Sequence, residues 1–428
     1  MTVSIQSIIA HARSGALDHA WRLFHEGGYD RARNDPAALC LRGRLLKDRA
    51  MREQGATRRA LFLEAANAYA RAGQISGETY PLINAATLSL LAGQKSKAAS
   101  LARRVLSHGD DRNETPYYRA ATRAEALLLV GKTAEASQAL RDAMKRAPKA
   151  YEDHASTLRQ FELILDEIAE DKSWLDALRP PRCLHFAGHM DARETSRKDI
   201  RQAVRDERVG FGYGALAAGA DILIAEALLD AGAELHLVLP APADAFREAS
   251  VARYGKDWVK RFNRILKKAQ SVRTIHSADG SLSPLAIQLA AEAAMGSAVM
   301  QAAALATEAV QLLILDRDGA RNRAAGGSGW IAATWKKTGR RQHILIVPRR
   351  RKARPPVAAK ADSVLAAMLR IELPAIAADR LARDTLPWLA RALAAGVAPS
   401  IPARFTTDAV LVAYDTPQNA ARAALSAA

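Results

Sequence analysis

One stretch of the chain, Val209 to Pro240, carries the pattern of a complete β-strand, glycine turn, α-helix and second β-strand. Glycines at 210, 212 and 214 follow the apolar start of the first strand and are predicted to bend the chain. The helix, Ala215 to Ala231, is apolar on nearly all sides, which is typical of a helix that lies against a sheet. Gly232 is placed to end it in the left-handed conformation, and Leu235 to Leu239 follows as a strand. This unit predicts a parallel sheet with a ligand at the strand carboxyl ends.

The turn from Gly212 to Gly219 aims backbone N–H groups and a helix N-terminus at that ligand position, which favours phosphate or another anion. Its glycines read G-x-G-x-G rather than the dinucleotide pattern G-x-G-x-x-G, and the sequence has no Gly-Lys-Ser/Thr phosphate loop. The pattern therefore indicates neither a typical NAD site nor a Walker-type site. Two explanations stay open: a ligand-binding turn, or glycines that only permit close packing of strand and helix.

Strands and helices alternate on both sides of this unit. Cys183 to Ala187 is predicted to be a strand that ends in Gly188-His189, and a long apolar helix, Pro284 to Thr307, precedes the apolar strand Leu312 to Leu315. A second glycine run, Ala324 to Trp330, opens a helix before the last strand, His343 to Val347. Alternation of this kind predicts a doubly wound sheet with both faces covered.

Three of these segments resemble the SLOG superfamily of Rossmann-like nucleotide-binding domains. They are Gly188, the GALAAGAD segment from Gly214 to Asp221, and the AGGSG segment that opens the late helix. The resemblance covers residues 182–348 and implies a nucleotide ligand. In the LOG phosphoribohydrolases of that superfamily, the late motif resembles Gly-Gly-x-Gly-Thr followed by a catalytic Glu. Trp330 and Ala333 stand at those two places here, so the resemblance implies binding, with hydrolysis of a nucleotide N-glycosidic bond as the enzymatic alternative.

The candidate ligand contacts lie at predicted strand ends or in the helices that follow them: Gly188, His189, Gly212, Gly214, Gly219, Asp221, Glu226, Gly326, Gly327 and Ser328. His189 is either a ligand contact or a hydrogen-bonded histidine. Asp221 either bonds a ribose hydroxyl or interacts with the first turns of its own helix. Glu226 lies on an apolar helix, where a buried carboxylate requires a partner. We predict a nucleotide or phosphorylated nucleoside as ligand, with no required cofactor, no metal site and no catalytic residue.

Residues 1–178 show helical periodicity throughout, with turns at the spacing of helix-hairpin repeats. Three pairs of helices are predicted: 37–51 with 58–72, 80–91 with 96–106, and 117–130 with 134–145, and Gly73 is predicted to follow the second of them. The pattern resembles tetratricopeptide repeats. Such arrays present a concave groove, so the resemblance implies binding of a partner protein; a packing platform for the next domain is the alternative.

Two segments sharpen this resemblance: GRLLKDR from Gly43 to Arg49 and YPLINAATLSLLAG from Tyr80 to Gly93. They are similar to the repeat region, often named the TRAFs-binding domain, that bacterial tetratricopeptide proteins share with apoptosis signal-regulating kinases. The similar residues are mainly packing and turn positions, so the resemblance implies architecture more than a particular partner.

The C-terminal part carries a third resemblance. AMLRIEL from Ala367 to Leu373 and TTDAVLVAYDTPQNAARAAL from Thr406 to Leu425 are similar to the opening of a class III nucleotide cyclase domain. Ser363 to Leu373 is predicted to be a helix. Glu372 and Asp408 fall where cyclases place metal-binding aspartates, but two carboxylates of the right length and a full substrate pocket are needed for that reaction, so we expect no cyclic nucleotide product. A generic αβ cap is the alternative.

The composition limits which partners and which cellular location the sequence predicts. The formal net charge of +17 and pI near 10.1 imply attraction to anions, and Lys336 to Arg354 contains nine Lys and Arg and no acid. This run either grips nucleic acid or an anionic membrane surface, or is a solvated helix end and linker; we expect only nonspecific nucleic-acid affinity. Two distant cysteines and the lack of a signal peptide or a membrane-length apolar stretch favour a cytoplasmic protein.

The predicted fold class is α plus α/β. It consists of an N-terminal α-helical hairpin repeat array (1–178), a doubly wound Rossmann-like, SLOG-like domain (182–348), a basic, proline-containing linker (349–361) and a small, truncated cyclase-like αβ segment (362–428). We expect a cytoplasmic regulatory or signalling protein that binds a nucleotide and a protein partner. A nucleic-acid-binding scaffold that uses the basic run is a further alternative.

Overall fold

The structure is a computed structural model, and it describes residues 3–108, 114–190, 192–275, 282, 284–316, 327–348, 367–372, 388, 389, 391, 393, 399, 401–405 and 409–427. The N-terminal part is α-helical, the central part is a parallel α/β sheet and the C-terminal part is a small antiparallel sheet. The predicted fold class is therefore confirmed at this level.

The N-terminal array consists of consecutive antiparallel helices. Their bounds are α1 (Ile5–Arg13), α2 (Leu17–Glu26), α3 (Pro36–Ala50), α4 (Gly55–Ser76), α5 (Thr79–Leu91), α6 (Lys95–Ser107), α7 (Pro116–Leu129), α8 (Thr133–Arg146) and α9 (Tyr151–Ile168). Local sequence explains several starts: Asp35 and Thr115 each accept a backbone N–H at a helix N-terminus, and each is followed by a proline. The three predicted pairs correspond to α3 with α4, α5 with α6, and α7 with α8.

Small residues let these helices approach closely. Ala85, Ala86, Ala98 and Ala124 are almost fully buried between helices, as the recurrence of alanine predicts. Gly73 was predicted to follow a helix, and that prediction is wrong, because α4 continues to Ser76 and ends at Gly77, which has φ 72°. A Cβ at Gly73 would lie 2.7 Å from Leu82 Cδ2, so this glycine permits the packing of α4 on α5.

The central domain alternates strands and helices. Its strands are β1 (Arg182–Gly188), β2 (Val209–Gly214), β3 (Glu234–Leu239), β4 (Ser271–Thr274), β5 (Ala309–Leu315) and β6 (Gln342–Ile346). Its helices are α10 (Arg197–Asp206), α11 (Ala220–Asp230), α12 (Ala243–Ser250), α13 (Lys256–Lys268), α14 (Pro284–Ala304) and α15 (Ser328–Lys336), with short 3-10 helices at Ser173–Leu178, Glu194–Ser196 and Ala252–Tyr254.

All six described strands are parallel and lie in the order β4-β3-β2-β1-β5-β6. One face of the sheet packs against α10, α11 and α13, around Phe186, Leu237 and Leu312. The other face packs against α14 and α15, around Phe211 and Leu313. The doubly wound sheet with two covered faces is thus confirmed. No helix among the described residues, α14 included, has the combination of length and apolar character that a bilayer crossing requires.

The glycine turn differs from its prediction. β2 continues through Gly214, so Gly210, Gly212 and Gly214 are strand residues and do not bend the chain. The turn consists of residues 215–219, and the helix starts at Ala220 instead of Ala215. Gly232, at φ 76°, ends α11 in the predicted left-handed conformation.

The described C-terminal residues form a three-stranded antiparallel sheet in the order β7 (Ala367–Glu372), β9 (Ala409–Tyr414) and β8 (Ile401–Phe405), with α16 (Pro417–Ala427) after it. The helix predicted over Ser363 to Leu373 is wrong over β7, because exposed and half-buried side chains alternate along it with the period of a strand. Glu372 is well exposed there, whereas Asp408 lies outside the described residues. Val410 and Val412 are buried on β9.

Candidate functional site at the carboxyl edge of the sheet

The order of the strands places a topological switch point between β1 and β5. The chain leaves β1 towards β2, β3 and β4 on one side, and it returns through α14 to β5 and β6 on the other side. In open parallel sheets, ligands bind outside the carboxyl ends of the strands at such a point. The described residues that follow β1, together with the start of α11, therefore form the candidate site.

Gly188 lets α11 begin directly against the end of β1. A Cβ at this residue would lie 2.4 Å from Ala220 Cβ and 2.6 Å from the carbonyl oxygen of Ile314. On either side of that contact, His189 N–H donates to the Ile314 oxygen at 3.0 Å, and Ala220 N–H donates to the His189 oxygen at 3.2 Å. Only glycine permits this junction of β1, β5 and α11.

His189 crosses the carboxyl edge of the sheet. Its side chain is buried, with Nδ1 3.0 Å from the Met190 oxygen and Nε2 2.8 Å from the Val347 oxygen. Both ring nitrogens thus lie within hydrogen-bond distance of backbone oxygens, so His189 is a buried, hydrogen-bonded histidine, and its role as a ligand contact stays a prediction.

Gly219 supports the same junction from the other side. Its φ of 97° and ψ of −120° fall in a region that residues with a Cβ rarely adopt. Gly219 also forms an isolated antiparallel bridge with Met190. The segment after β1 and the turn before α11 are therefore held together by backbone contacts.

Asp221 is the buried carboxylate of this site, with 6% of its surface exposed. Oδ2 accepts a hydrogen bond from Ala217 N–H at 3.1 Å, whereas Oδ1 is buried and has no hydrogen-bond partner among the described residues. Burial raises the pKa of Asp221 to about 7, although the Ala217 N–H, which is bonded to Oδ2, and the Gly188 N–H, which is near the carboxyl group but outside hydrogen-bond geometry, act in the opposite direction. A buried oxygen that accepts no hydrogen bond lowers the stability of the native state, so this carboxyl group is suited to accept a hydrogen bond from a ligand hydroxyl.

Gly212 and Gly214 are explained by packing within the domain. A Cβ at Gly212 would lie 2.4 Å from Leu228 Cδ1, and one at Gly214 would lie 2.5 Å from the Phe186 carbonyl oxygen. The alternative of close strand and helix packing therefore accounts for these two glycines without a ligand.

Glu226 has its partners inside the domain. Arg261 donates to both carboxylate oxygens, at 2.9 and 2.7 Å, and Arg264 and Arg197 donate at 2.6 and 3.0 Å. Arg261 also pairs with Glu194 at 2.6 Å and lies over the ring of Trp258. Glu226 joins α11 to α10 and α13, and the structure does not bring it to the carboxyl edge with Asp221.

The late glycine motif is partly described. Gly326 lies outside the described residues, whereas Gly327 and Ser328 form the start of α15. Because α15 follows β5 and packs on β1 and β5, its N-terminus lies at the same edge of the sheet as the other candidates. Its first backbone N–H groups are suited to an anion.

A row of buried polar side chains that the sequence pattern did not indicate crosses β1, β5 and β6. Gln311 Nε2 lies 2.9 Å from His185 Nδ1, and Gln342 Nε2 donates to Gln311 Oε1 at 2.7 Å. Burial lowers the pKa of His185 to about 3 and raises the pKa of Cys183 to about 12, so both stay uncharged near neutral pH. Within the described part of the chain, no three His, Cys, Asp or Glu side chains group as metal ligands.

Gly188→Ala tests the junction. We expect it to lower the free energy of unfolding by about 1–3 kcal/mol, because the added methyl group would overlap backbone and Ala220. Gly296→Ala is the matched control: a Cβ there meets nothing within 4 Å in α14, so we expect a gain of roughly 0.5–1 kcal/mol. Urea unfolding of both variants measures the difference; an equal response of the two would contradict the contact.

Comparisons with known proteins address the N-terminal part. Residues 3–89 match the family model described as Tetratricopeptide Repeats-Sensor. A search of curated proteins gives no match. Among solved structures, a mutant of the Thermobaculum terrenum O-GlcNAc transferase aligns at 14% identity, over 68% of this chain and 56% of that chain, with a TM-score of 0.22. The chain thus spans about half the length of that structure. The family match supports tetratricopeptide-type repeats over residues 3–89, and the helix pairs continue the same arrangement to Arg146.

Proposed function

We propose that this protein is a regulatory protein that binds a nucleotide or phosphorylated nucleoside at the carboxyl edge of the sheet and a partner protein through its repeats. The observation that carries the nucleotide proposal is Asp221, a buried carboxylate with one oxygen that has no donor among the described residues, next to Gly188 and His189 at the switch point. A ribose hydroxyl would supply the missing donor.

The other candidates would bind the anionic part of the ligand. The N-terminus of α15, with Gly327 and Ser328, would favour phosphate. The resemblance to SLOG domains supports the same ligand class. The name of the matched repeat family, which includes the word sensor, supports a regulatory role for the repeats. We assign no catalytic residue, and Gly212, Gly214 and Glu226 are left out of the proposed contacts because packing and ion pairs account for them.

A melting-temperature screen with nucleotides, nucleosides and inorganic phosphate tests this proposal. A ligand at about one hundred times its dissociation constant should stabilise the native state by about 2.7 kcal/mol. We expect Asp221→Asn to weaken binding of the active compound at least tenfold, because the carboxylate acceptor is lost. Gly296→Ala, far from the edge, should bind normally.

Two outcomes would count against the proposal: no compound stabilises the protein, or Asp221→Asn binds the active compound as tightly as the wild type. Chromatography of the same mixtures addresses the enzymatic alternative. Release of free base would establish an N-glycosidic hydrolase instead of a binding protein.

A further inference from the structure

The array has an inner face, which we define as the surface formed by α3, α5 and α7, the first helices of the three hairpins. Repeat arrays of this type bind ligands on the concave surface that such helices form. In this chain α9 lies on that surface. It packs on α5 and α7, and its side chains form hydrogen bonds with α3 and α7.

Apolar side chains hold one side of α9 in the array. Leu158, Phe161, Ile164 and Leu165 are fully buried, in a cluster that also contains Leu90 of α5 and Leu128 of α7. This is the arrangement of an amphipathic helix in a groove, with apolar anchors spaced three or four residues apart.

Hydrogen bonds fix the register of α9 on the inner face. Gln160 accepts from Lys47 Nζ of α3 at 2.6 Å and donates to Glu125 Oε1 of α7 at 3.1 Å. Thr87 of α5 donates to the same Glu125 oxygen at 2.5 Å. One side chain of α9 therefore connects polar groups from all three helices of the inner face.

The N-terminal half of α9 is bound to α7 in the same way. Tyr117 donates to Thr157 Oγ1 at 2.9 Å, Tyr118 donates to Asp153 Oδ1 at 2.6 Å, and the Tyr117 ring stacks on His154. These contacts lie between side chains, and α9 shares no continuous backbone ladder with the array. These side-chain contacts can therefore be broken and formed again together when α9 leaves and returns to the inner face.

Charge distinguishes α9 from the array that receives it. Residues 1–150 contain 24 Lys and Arg against 14 Asp and Glu, whereas residues 151–171 contain one Arg against seven Asp and Glu. Glu167, near the C-terminus of α9, lines a cavity together with Arg58 and Arg59 of α4. The array thus has an excess of positive charge and α9 an excess of negative charge, so their charges are complementary in a chain whose net charge is +17.

The opposite side of α9 meets the α/β domain. Arg159 donates to the Ala303 and Ala304 oxygens at the C-terminus of α14, and Tyr151 lies edge-on to Phe211 of β2. Arg179 pairs with Glu162 at 2.7 Å and donates to the Ala306 oxygen at 2.9 Å. A change in the position of α9 would therefore change the contact between the two domains.

We propose that the inner face is a binding surface for an acidic amphipathic helix, that α9 occupies it within the chain, and that a partner protein binds by presenting a helix of the same kind in place of α9. This inference rests on the proposed role of the repeats in partner binding and is independent of the nucleotide. Its test uses no nucleotide, so its failure is distinguishable from failure of the nucleotide site.

The test measures binding of a fluorescent peptide with the sequence of residues 151–171 to the full chain. In the wild type, α9 competes at an effective concentration on the order of millimolar, so binding should be weak. In a Thr157→Ala, Gln160→Ala double variant, α9 loses its bonds to Tyr117, Lys47 and Glu125 while the peptide still offers them. We expect this variant to bind the peptide about 10- to 100-fold more tightly than the wild type.

Ser156→Ala, at an exposed position of α9, is the matched control and should bind the peptide as the wild type does. A peptide with its acidic residues replaced by their amides should bind at least tenfold more weakly. The proposal is overturned if a folded double variant does not bind the peptide, or if the amide peptide binds as tightly.

A second measurement does not depend on the double variant being folded. With an excess of isotopically labelled peptide, deuterium exchange of α9 in the wild-type chain should rise while that of α5 stays unchanged. Unchanged exchange of α9 at saturating peptide would also overturn the proposal.

Discussion

Glu226→Ala is expected to lower the free energy of unfolding of the α/β domain by about 3–5 kcal/mol, the usual cost of removing one partner from a buried ion pair. Glu226 and Arg261 are each more than nine-tenths buried, and two bonds join them. Without Glu226, the acidic partners left to the buried Arg261 guanidinium among the described residues would be Glu194 at 2.6 Å and Asp257 at 3.8 Å.

Asp230→Ala is the matched control on the same helix. Asp230 pairs with Arg201 at 2.8 Å, but about half of each side chain is exposed, so we expect a loss of no more than about 1 kcal/mol. Denaturant unfolding, followed by thiol labelling of the buried Cys183 in β1 in a chain that also carries Cys40→Ser, reports on this domain separately from the array. Losses of equal size for the two variants would contradict a structural role for the Glu226 cluster.

Asp221→Asn is expected to stabilise the protein at pH 8 by up to about 4 kcal/mol, because each unit of pKa shift corresponds to about 1.4 kcal/mol. The native pKa of Asp221 is raised to about 7 by burial, whereas that of an unfolded aspartate is about 3.9. Between these values the native state holds a proton that the unfolded state has lost. The contribution of Asp221 to stability is therefore full below about pH 4 and is lost as the pH rises to 7.

The asparagine amide oxygen can still accept the bond from Ala217, and it carries no charge at any pH. The stability difference between variant and wild type should therefore be small at pH 4, should grow up to about pH 7 and should then stay constant. Measurement of the free energy of unfolding of both proteins from pH 4 to pH 8 at constant ionic strength checks this pH dependence. A difference that does not change with pH would show that Asp221 does not titrate in this window. If Asp221 also binds the ligand, the variant gains stability and loses affinity, a common trade-off at functional sites.

Local sequence patterns were sufficient to predict the positions of most individual helices and strands. β3 and α14 differ from prediction by at most a few residues at their ends. Helix hydrogen bonds join residues four apart and strand side chains alternate with period two, so these patterns are visible within a short window. A window as short as that of β7 was misread as a helix, although its alternating exposure follows period two.

The same reasoning placed Gly188, His189, Gly219 and Asp221 at one edge, because parallel strands bring their carboxyl ends together. It could not distinguish these residues from Gly212 and Gly214, since the atoms that exclude a Cβ belong to Leu228 and Phe186. It also could not separate Asp221 from Glu226. Both are carboxylates on one apolar helix, and only the position of Arg261 on α13 decides that Glu226 is paired.

By itself, the sequence determined which part of this protein is a repeat array and which is an α/β sheet, and the approximate positions of most of the helices and strands that it predicted, together with the left-handed turn at Gly232. Only the tertiary structure decided that His189 reaches Val347, that one oxygen of Asp221 meets no donor in the described part of the chain, and that α9 lies on the inner face of the array. The physical reason is separation along the chain: Lys47 and Gln160 are 113 residues apart, and His189 and Val347 are 158 apart. Contacts over such distances leave no periodic pattern in the sequence, and they form only when the packing of whole elements brings the two side chains together.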